Sequence, residues 1–181
     1  MAYKALPSPE ALRQLLDYDP ETGVLTWRQR PREMFSSDMQ WKTWNTRFSG
    51  QTATTVKKDT GYRTGGIWGV SYKAHRLIWV IMTGREPASL IDHIIGDKAD
   101  NRWENLRLTD KSGNGCNRAA PVTNTSGLKG ASWDKLQSKW RAQIQHRGKT
   151  IYLGLFDTPE AAHAAYASAA HKMHKEFARL A

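Results

Sequence analysis

The stretch DHIIGDKADNRWENLRL, residues 92–108, decides the fold of this chain. It begins with a carboxylate and an imidazole side by side, Asp92 and His93. The polar segment after them contains a glycine and predicts a hairpin, and Leu106 and Leu108 predict a short apolar returning strand. Carboxylate and amide oxygens suit Mg²⁺ or Mn²⁺, and an uncharged imidazole can take a proton from water. The stretch therefore predicts a hard metal ion next to a general base.

Two asparagines, Asn114 and Asn117, follow the hairpin in a polar segment. The order of these motifs is similar to that of the HNH endonuclease family, with its ββα-metal motif. The nearest resemblance is to the subgroup common among phage-encoded nicking and homing enzymes. The matching segments are residues 74–77, 91–94, 100–102 and 104–107, with Asn114 and Asn117. Several motifs in the right order make this resemblance specific, whereas a lone Asp-His pair would carry almost no information.

The resemblance implies a role for each main residue of the motif. His93 would be the general base, and Asp92 would be a metal ligand. Asn114 would be the second ligand, in the place where many family members carry a histidine. The amide of Asn105 would pin the hairpin loop and so hold the strand that carries His93. The implied cofactor is Mg²⁺ or Mn²⁺.

Neighbouring side chains are given supporting roles. The motif match suggests that Arg76 binds the DNA backbone near the cut, and that His75 supports or packs the site. Asn117 would contact the phosphate or cap a segment. The polar side chains of the hairpin loop are expected to satisfy loop amides. They are Asp97, Asp100 and Asn101.

The composition indicates an anionic partner and a reducing compartment. The 181 residues carry a formal net charge of +10, while the hydrophobic content of 39% is ordinary for a globular protein. Because this charge coincides with aromatic and planar amide side chains, it favours binding to nucleic acid, and the resemblance implies that the partner is duplex DNA. The single cysteine, Cys116, cannot form an intramolecular disulfide or a multi-thiolate zinc site, so we expect no structural zinc. The single cysteine also favours a cytoplasmic location, in the host cell if the chain is phage-encoded. No apolar run approaches membrane-spanning length, so we expect no membrane partner.

The N-terminal part predicts small elements before the motif. Residues 8–16 predict a short helix that Ser8 can cap. A turn over residues 17–23 and a strand over residues 24–27 follow. Residues 28–50 look irregular and carry arginines among aromatic residues. Two interpretations stay open for them: a DNA-contacting surface, and an insertion whose aromatic rings pack on the core.

Residues 51–74 predict hairpin-like pieces on either side of a Gly-rich turn at residues 65–69. Residues 75–83 predict a helix that ends at Gly84 and packs behind the ββα unit. Its predicted buried residues are Leu77, Ile78, Ile81 and Met82.

The C-terminal part changes character after residues 121–127, which are small, polar and aperiodic and predict a linker. Strands are then predicted over residues 128–133, 139–146 and 149–155. A long helix capped by Thr158 would follow them. Nearly all of residues 127–178 resemble the plant APETALA/ethylene-response-factor DNA-binding domain. The matching segments are residues 128–131, 139–144, 152–158, 160–162 and 164–166.

The second strand of this region alternates polar and apolar side chains. Arg141, Gln143 and Gln145 would share one face, and such side chains suit guanine and adenine edges in the major groove. The alternation alone favours a solvated sheet face, whereas the resemblance favours DNA reading. Additional phosphate contacts are expected from Lys129, Arg147 and Lys149. The plant domains carry more arginines on the first strand, where this chain has Ser132 and Asp134, so no target sequence can be transferred.

These observations predict an α+β protein with an HNH nuclease domain over residues 1–120 and an APETALA-like domain over residues 128–181. The first would have a ββα-metal core with an N-terminal elaboration, and the second a three-stranded antiparallel sheet packed on one helix. The predicted function is metal-dependent DNA cleavage, with strand nicking by a monomer or weak dimer. Two alternatives remain open: a DNA-binding regulator with a decayed nuclease core, and a weakly specific nuclease for DNA or RNA.

Overall fold

The computed structural model of the chain describes residues 5–109, 124, 126–146 and 148–174. In this part the protein mixes helices with small antiparallel sheets. The helices are α1 (Pro9–Leu15), α2 (Asp38–Phe48), α3 (Ala74–Thr83) and α4 (Pro159–His174). The strands are β1 (Leu16–Asp19), β2 (Val24–Trp27), β3 (Thr55–Val56), β4 (Arg63–Ile67), β5 (Val70–Lys73), β6 (Leu90–His93), β7 (Leu106–Thr109), β8 (Ala131–Asp134), β9 (Lys139–His146) and β10 (Lys149–Phe156). Short 3-10 helices span Arg32–Met34 and Trp103–Asn105.

The chain divides into two compact units, Met1–Leu108 and Thr109–Ala181. The predicted linker over residues 121–127 falls largely outside the described residues, so a domain boundary there stays a prediction. We found no helix in the described part of the chain that is both long and apolar enough to cross a membrane.

The first unit opens with α1, which begins as predicted. The hydroxyl of Ser8 accepts a hydrogen bond from the amide of Ala11 at 3.2 Å, and Leu12 and Leu15 are buried. The prediction of a turn over residues 17–23 was wrong in part, because its first three residues belong to β1, which pairs with β2. The side chain of Tyr18 is half-buried against the core. This packing stabilises the hairpin, although its polar sequence suggests a turn.

Residues 28–50 are not irregular throughout, as predicted, because they contain the eleven-residue helix α2. None of its residues is fully buried. A helix without a buried face needs no apolar residues at helical spacing, and this sequence shows no clear apolar period. Tertiary contacts hold it instead. The ring of Trp44 lies edge-on to Trp27 at 5.8 Å, and the guanidinium of Arg30 lies 3.8 Å from the Trp44 ring. Trp41 and Asn45 both donate to the carbonyl of Arg30 at 2.9 Å.

The central sheet of the first unit has the order β3-β4-β5. The predicted Gly-rich turn was misplaced, because Gly65 and Gly66 lie within β4 and the turn itself is Trp68-Gly69. A glycine is needed at Gly65, where a Cβ would lie 2.7 Å from the carbonyl oxygen of Ala53. Close backbone approach, and not a turn, explains this glycine.

Helix α3 supplies much of the core of the first unit. It ends at Gly84, which is left-handed with φ 71°. Its buried residues are Ala74, His75, Leu77, Ile78 and Val80. The prediction that Met82 is buried was wrong, since it is 40% exposed. The buried side faces α1 and the sheet, and His75 enters the core at the first turn.

The second unit has the sheet order β10-β9-β8, with antiparallel pairing throughout. Strand β9 has the predicted bounds, and Thr158 caps α4 by accepting from the amide of Ala161 at 3.2 Å. Small residues allow close packing of helix and sheet. A Cβ at Gly130 would lie 2.1 Å from the ring of Tyr166, a buried anchor of α4.

Candidate active site

The hairpin of β6 and β7 presents the residues singled out from the sequence. Asp92 and His93 end β6, and both are buried, at 6% and 4% exposure. The amide of Ile94 donates to the carbonyl of Asn105 at 2.9 Å, which closes the loop immediately after His93. On the return strand Leu106 is buried, but Leu108 is exposed, contrary to the prediction of an apolar strand.

Asn105 bridges the two ends of this loop with its side chain. Its Oδ1 accepts from the amide of Ile95 at 2.9 Å, and its Nδ2 donates to the carbonyl of Asp100 at 2.8 Å. The side chain is 3% exposed, so both bonds are shielded from water. These two bonds fix the path of the chain directly after His93.

The orientation of His93 is set by Asn101, a residue for which sequence reasoning expected only turn chemistry. His93 Nε2 lies 3.1 Å from Asn101 Oδ1, while Asn101 Nδ2 donates to the carbonyl of Ala99 at 3.2 Å. An amide oxygen can only accept, so Nε2 carries the proton and Nδ1 carries the lone pair. Asn101 is 1% exposed. The presence of Asn101 within the matched segment 100–102 was the one signal that could have identified it.

The β1–β2 hairpin holds Asn101 in place. The hydroxyl of Tyr18 donates to the carbonyl of Asn101 at 2.8 Å, and the amide of Trp103 donates to the carbonyl of Pro20 at 3.1 Å. At the turn, Gly23 is left-handed with φ 73°, and a Cβ there would lie 2.4 Å from the amide nitrogen of Arg102. The N-terminal hairpin therefore packs directly on the backbone that orients His93.

Two buried histidines meet at the site. The rings of His75 and His93 lie edge to face at 5.1 Å. Burial lowers the pKa of His93, and this outweighs the raising effects of the Asn101 hydrogen bond and of the carboxylates of Asp92, Asp97 and Asp100. The net lowering of its pKa leaves His93 an uncharged imidazole at neutral pH.

The pKa of His75 lies well below its usual range. Burial is the main cause, and the charge that His93 carries when protonated, with the positive charges of Lys73 and Arg76, lowers the pKa further. His75 therefore acts here as a neutral packing ring beside His93. Arg76 is largely buried, with its guanidinium 4.0 Å from the carboxylate of Glu86.

Asp92 has a partner that sequence reasoning did not anticipate. Nε and Nη2 of Arg107 donate to Asp92 Oδ2 at 3.0 and 2.9 Å. Both side chains are largely buried, so the low dielectric around them strengthens the ion pair. Its two charge-assisted hydrogen bonds strengthen it further. Successive side chains of a strand point to opposite faces, so Arg107 lies on the face of β7 opposite to Leu106, which is in the core. From there it contacts Asp92 of β6.

The remaining polar residues of the loop satisfy its amides, as expected. Asp97 accepts from the amide of Ala99 at 2.8 Å, and Asp100 accepts from the amide of Arg102 at 3.0 Å. The guanidinium of Arg102 also donates to Asp100, which lowers the pKa of that carboxyl. These contacts leave the loop internally bonded.

The donor set around Asp92 fits a loosely held hard cation. Within the described ranges, no group of three or more His, Cys, Asp or Glu side chains is arranged to hold a metal ion. A single buried carboxylate beside a neutral imidazole matches an ion that keeps several waters and binds phosphate oxygens. The predicted second ligand, Asn114, and the predicted phosphate contact, Asn117, lie outside the described residues, as does Cys116.

In the second unit, the predicted reading strand shows the expected alternation. Arg141, Gln143 and Gln145 are exposed, whereas Ala142 and Ile144 are buried. Across from this strand, Tyr152 pairs with Gln143 and is 57% exposed. The exposed face therefore combines polar side chains with one aromatic ring.

The guanidinium of Arg141 forms a close ion pair with the buried carboxylate of Asp134. This bond, with the amides of Gln137 and Leu136, lowers the pKa of Asp134. Sequence reasoning noted Asp134 only as a departure from the plant domains, and missed that it anchors Arg141 from the neighbouring strand.

The other predicted phosphate contacts differ in exposure. Lys149 is exposed, whereas Lys129 is half-buried and its carbonyl accepts a hydrogen bond from His163 Nδ1 at 2.8 Å. Arg147 lies outside the described residues.

One comparison with known proteins matches the part of the chain that contains this site. A family model described as HNH endonuclease matches residues 72–116. Protein 3.8 of Escherichia phage T7 is 36% identical over 113 residues, which cover 60% of this chain and 93% of that relative. No solved structure matches the chain significantly.

Proposed function

Because this chain belongs to the HNH endonuclease family, we propose that it is a divalent-metal-dependent DNA endonuclease that hydrolyses phosphodiester bonds. The observation that carries the proposal is the state of His93, which is buried and uncharged and directly follows Asp92 in the sequence. Asn101 fixes the orientation of its ring through a hydrogen bond at Nε2. A general base must be both unprotonated and oriented, and packing supplies both conditions here.

In the proposed reaction, His93 takes a proton through Nδ1 from the water that attacks phosphorus. The side-chain oxygen of Asn101, Oδ1, then stabilises the protonated ring, because it already accepts from Nε2. Asn105 keeps the loop closed behind the strand, so that the ring does not move away from the water. Arg76 and Asn117 would contact the DNA backbone near the cut.

Members of this family generally use a divalent metal ion, and we propose Mg²⁺ or Mn²⁺ held by Asp92 and Asn114. Bound there, the ion would supply positive charge to the phosphate and to the leaving oxygen. Arg107 donates two hydrogen bonds to Asp92 Oδ2, so its positive charge balances the buried carboxylate.

For the second unit we propose APETALA-like binding of duplex DNA. The support is the exposed polar face of β9, with Arg141, Gln143 and Gln145, next to exposed Lys149. Arginine and glutamine can read base edges, and lysines such as Lys129 can bind phosphates. Arg147 would add another phosphate contact. Strand nicking by a monomer or weak dimer in the host cytoplasm completes the proposal, because one such site cuts one strand.

The deciding experiment is conversion of supercoiled plasmid to the open circular form, with Mg²⁺ and with EDTA. Wild type should nick only with the metal, and His93→Ala should not nick while its DNA affinity stays unchanged. His171→Ala, an exposed histidine of α4, is the matched control and should nick like wild type. Plasmid left supercoiled by wild type under every metal condition would favour a DNA-binding regulator, and parallel cutting of RNA would favour a weakly specific nuclease.

A further inference from the structure

A cationic cluster lies beside the two buried histidines, and neither the family motif nor the proposed chemistry uses it. We call it the Tyr62 cluster, and it consists of Tyr62, Lys73 and Lys98. The ammonium of Lys73 lies 3.9 Å from the centre of the Tyr62 ring, and that of Lys98 lies 5.1 Å from it. The same ring lies 5.9 Å from the ring of His93. Two lysines thus converge on one aromatic ring at the edge of the site.

The cluster is held by the fold. Lys98 Nζ donates to the carbonyl of Thr60 at 3.2 Å, and its aliphatic stem lies against Gly61. Lys73 ends β5 directly before α3, where its side chain is half-buried. Because Lys98 belongs to the β6–β7 loop and Lys73 to the central sheet, the two charges meet only in the folded unit.

The two lysines of this cluster carry charges that no described carboxylate balances in an ion pair. Among the described residues, neither Lys73 nor Lys98 forms an ion pair with a carboxylate. Burial lowers the pKa of Lys73, and the positive charges of Lys98 and Arg76 lower it further. Helix α3 begins next to Lys73 without a side-chain cap and without an acidic residue in its first turn, so its positive end adds to the field.

Such an arrangement is unfavourable in the free protein and favourable once an anion is bound. Like charges held close together raise the energy of the folded unit, and an aromatic ring offsets only part of that cost. A phosphate would interact with both ammonium groups at once, and the tethering of Lys98 reduces the entropy lost on binding. The position beside His93 limits the anion to one near the reacting centre.

We propose that the Tyr62 cluster binds a non-scissile backbone phosphate of the strand being cut, next to the phosphate that faces His93. Lys73 and Lys98 are then positioning residues that set the register of the strand at the site. This inference rests on the proposed nuclease function. The alternative role for the lysines is packing on Tyr62 without contact to DNA.

The first test is the salt dependence of DNA binding by the full chain, measured in EDTA on one duplex. Lys73→Met and Lys98→Met keep the aliphatic stem and remove the charge. Each should reduce the slope of log K against log salt by about 1, the loss of one phosphate contact. The matched control is Lys58→Met, an exposed lysine of the same unit outside the cluster, and its slope should match wild type. Equal slopes for all four proteins, or an equal decrease in all three variants, would overturn the proposal.

The second test locates the phosphate. Single phosphates of the cut strand are replaced by neutral methylphosphonates, and wild type should lose affinity at one position beside the cut. At that position Lys98→Met should lose nothing further, and Lys98→Arg should restore the sensitivity. A loss that persists undiminished in Lys98→Met would exclude a contact with that phosphate.

The two proposals fail in different ways. Absence of metal-dependent nicking by wild type would remove the nuclease proposal, while the salt slopes would still report whether the cluster binds DNA. Normal nicking together with unchanged slopes and no methylphosphonate coupling would remove only the proposal about the cluster.

Discussion

Nε2 of His93 and Oδ1 of Asn101 form a hydrogen bond of 3.1 Å. The β1–β2 hairpin packs on the loop that carries Asn101, where the hydroxyl of Tyr18 donates to the backbone carbonyl of Asn101. The bond assigns the proton to Nε2, because the amide of Asn101 is turned by its own bond to the carbonyl of Ala99. The loop after His93 therefore folds back, so that Asn101, eight residues later, orients the His93 ring. This relationship makes Asn101 as important to the proposed chemistry as the motif residues themselves.

Asn101→Ala should lower the nicking rate on the order of 10- to 100-fold, the usual effect of losing a residue that orients a functional histidine. The ring of His93 would lose the acceptor that Asn101 Oδ1 offers to Nε2 and could adopt the wrong tautomer. DNA affinity in EDTA should not change. Asn45→Ala, which removes similar amide bonds in α2, is the control and should alter stability but not the rate. An unchanged rate in Asn101→Ala would contradict the assigned orientation.

Gly23→Ala should reduce both stability and nicking. The new Cβ would meet the backbone of Arg102 at 2.4 Å and push on the segment that carries Asn101. Gly50 has nearly the same left-handed conformation, with φ 76° against 73°, but a Cβ there meets nothing within 4 Å. Gly50→Ala therefore shows the conformational cost alone, about 1–2 kcal/mol. Thermal melts and nicking rates should both separate the two variants, and equal effects would deny the hairpin its supporting role.

Arg107→Met should destabilise the metal-free protein by about 3–5 kcal/mol, because it leaves the buried carboxylate of Asp92 without its partner. Mg²⁺ should restore more stability to this variant than to wild type, since the ion would replace the missing positive charge. The measurement is urea unfolding in MgCl₂ and in EDTA. Arg28→Met breaks the exposed pair with Asp17 and should cost about 0–1 kcal/mol without any response to Mg²⁺. A metal response in that control, or none in Arg107→Met, would count against Asp92 as a ligand.

His75 should make stability depend on pH. Its folded pKa lies well below the unfolded value of ~6.5, because burial and nearby positive charges disfavour the proton. The unfolded chain therefore binds a proton that the folded chain does not as pH falls through about 6.5. The stabilisation by neutral His75 is fully present above that pH and is lost below it, by up to about 1.4 kcal/mol per pH unit. His75→Phe should flatten the profile of unfolding free energy between neutral and mildly acidic pH, and an identical profile would refute the assignment.

Arg141→Met should weaken duplex binding by the full chain and reduce its salt dependence or its sequence preference. The guanidinium is exposed on β9, and Asp134 holds it in one place. Lys135→Met removes a charge from the exposed turn after β8 and serves as the control. Titration of a labelled duplex at two salt concentrations compares them. Equal losses in both variants would leave only a general effect of net charge.

Local sequence patterns were enough to single out the candidate residues and to predict much of the local structure. Polar alternation predicted the faces of β9, and the cap at Ser8 and the left-handed Gly84 bounded α1 and α3. These features depend on neighbours along the chain, so a local pattern is enough to predict them. The motif also singled out Asp92, His93 and Asn105, whose chemical roles remain proposals.

Only the tertiary structure decided what those side chains contact. Helix α2 shows no clear apolar period, so its cap at Ser37 was the main local signal. The Arg30–Trp44 contact that packs it is made only in the folded unit. Asn101 lies near His93 in sequence, but whether its side chain satisfies the loop or the imidazole depends on how β1 and β2 pack. Likewise Lys73 and Lys98 are 25 positions apart, and only the packing of the sheet against the β6–β7 loop brings both charges to Tyr62. Which charged and hydrogen-bonding groups meet depends on the packing of distant segments, whereas the sequence specifies only which groups the chain contains.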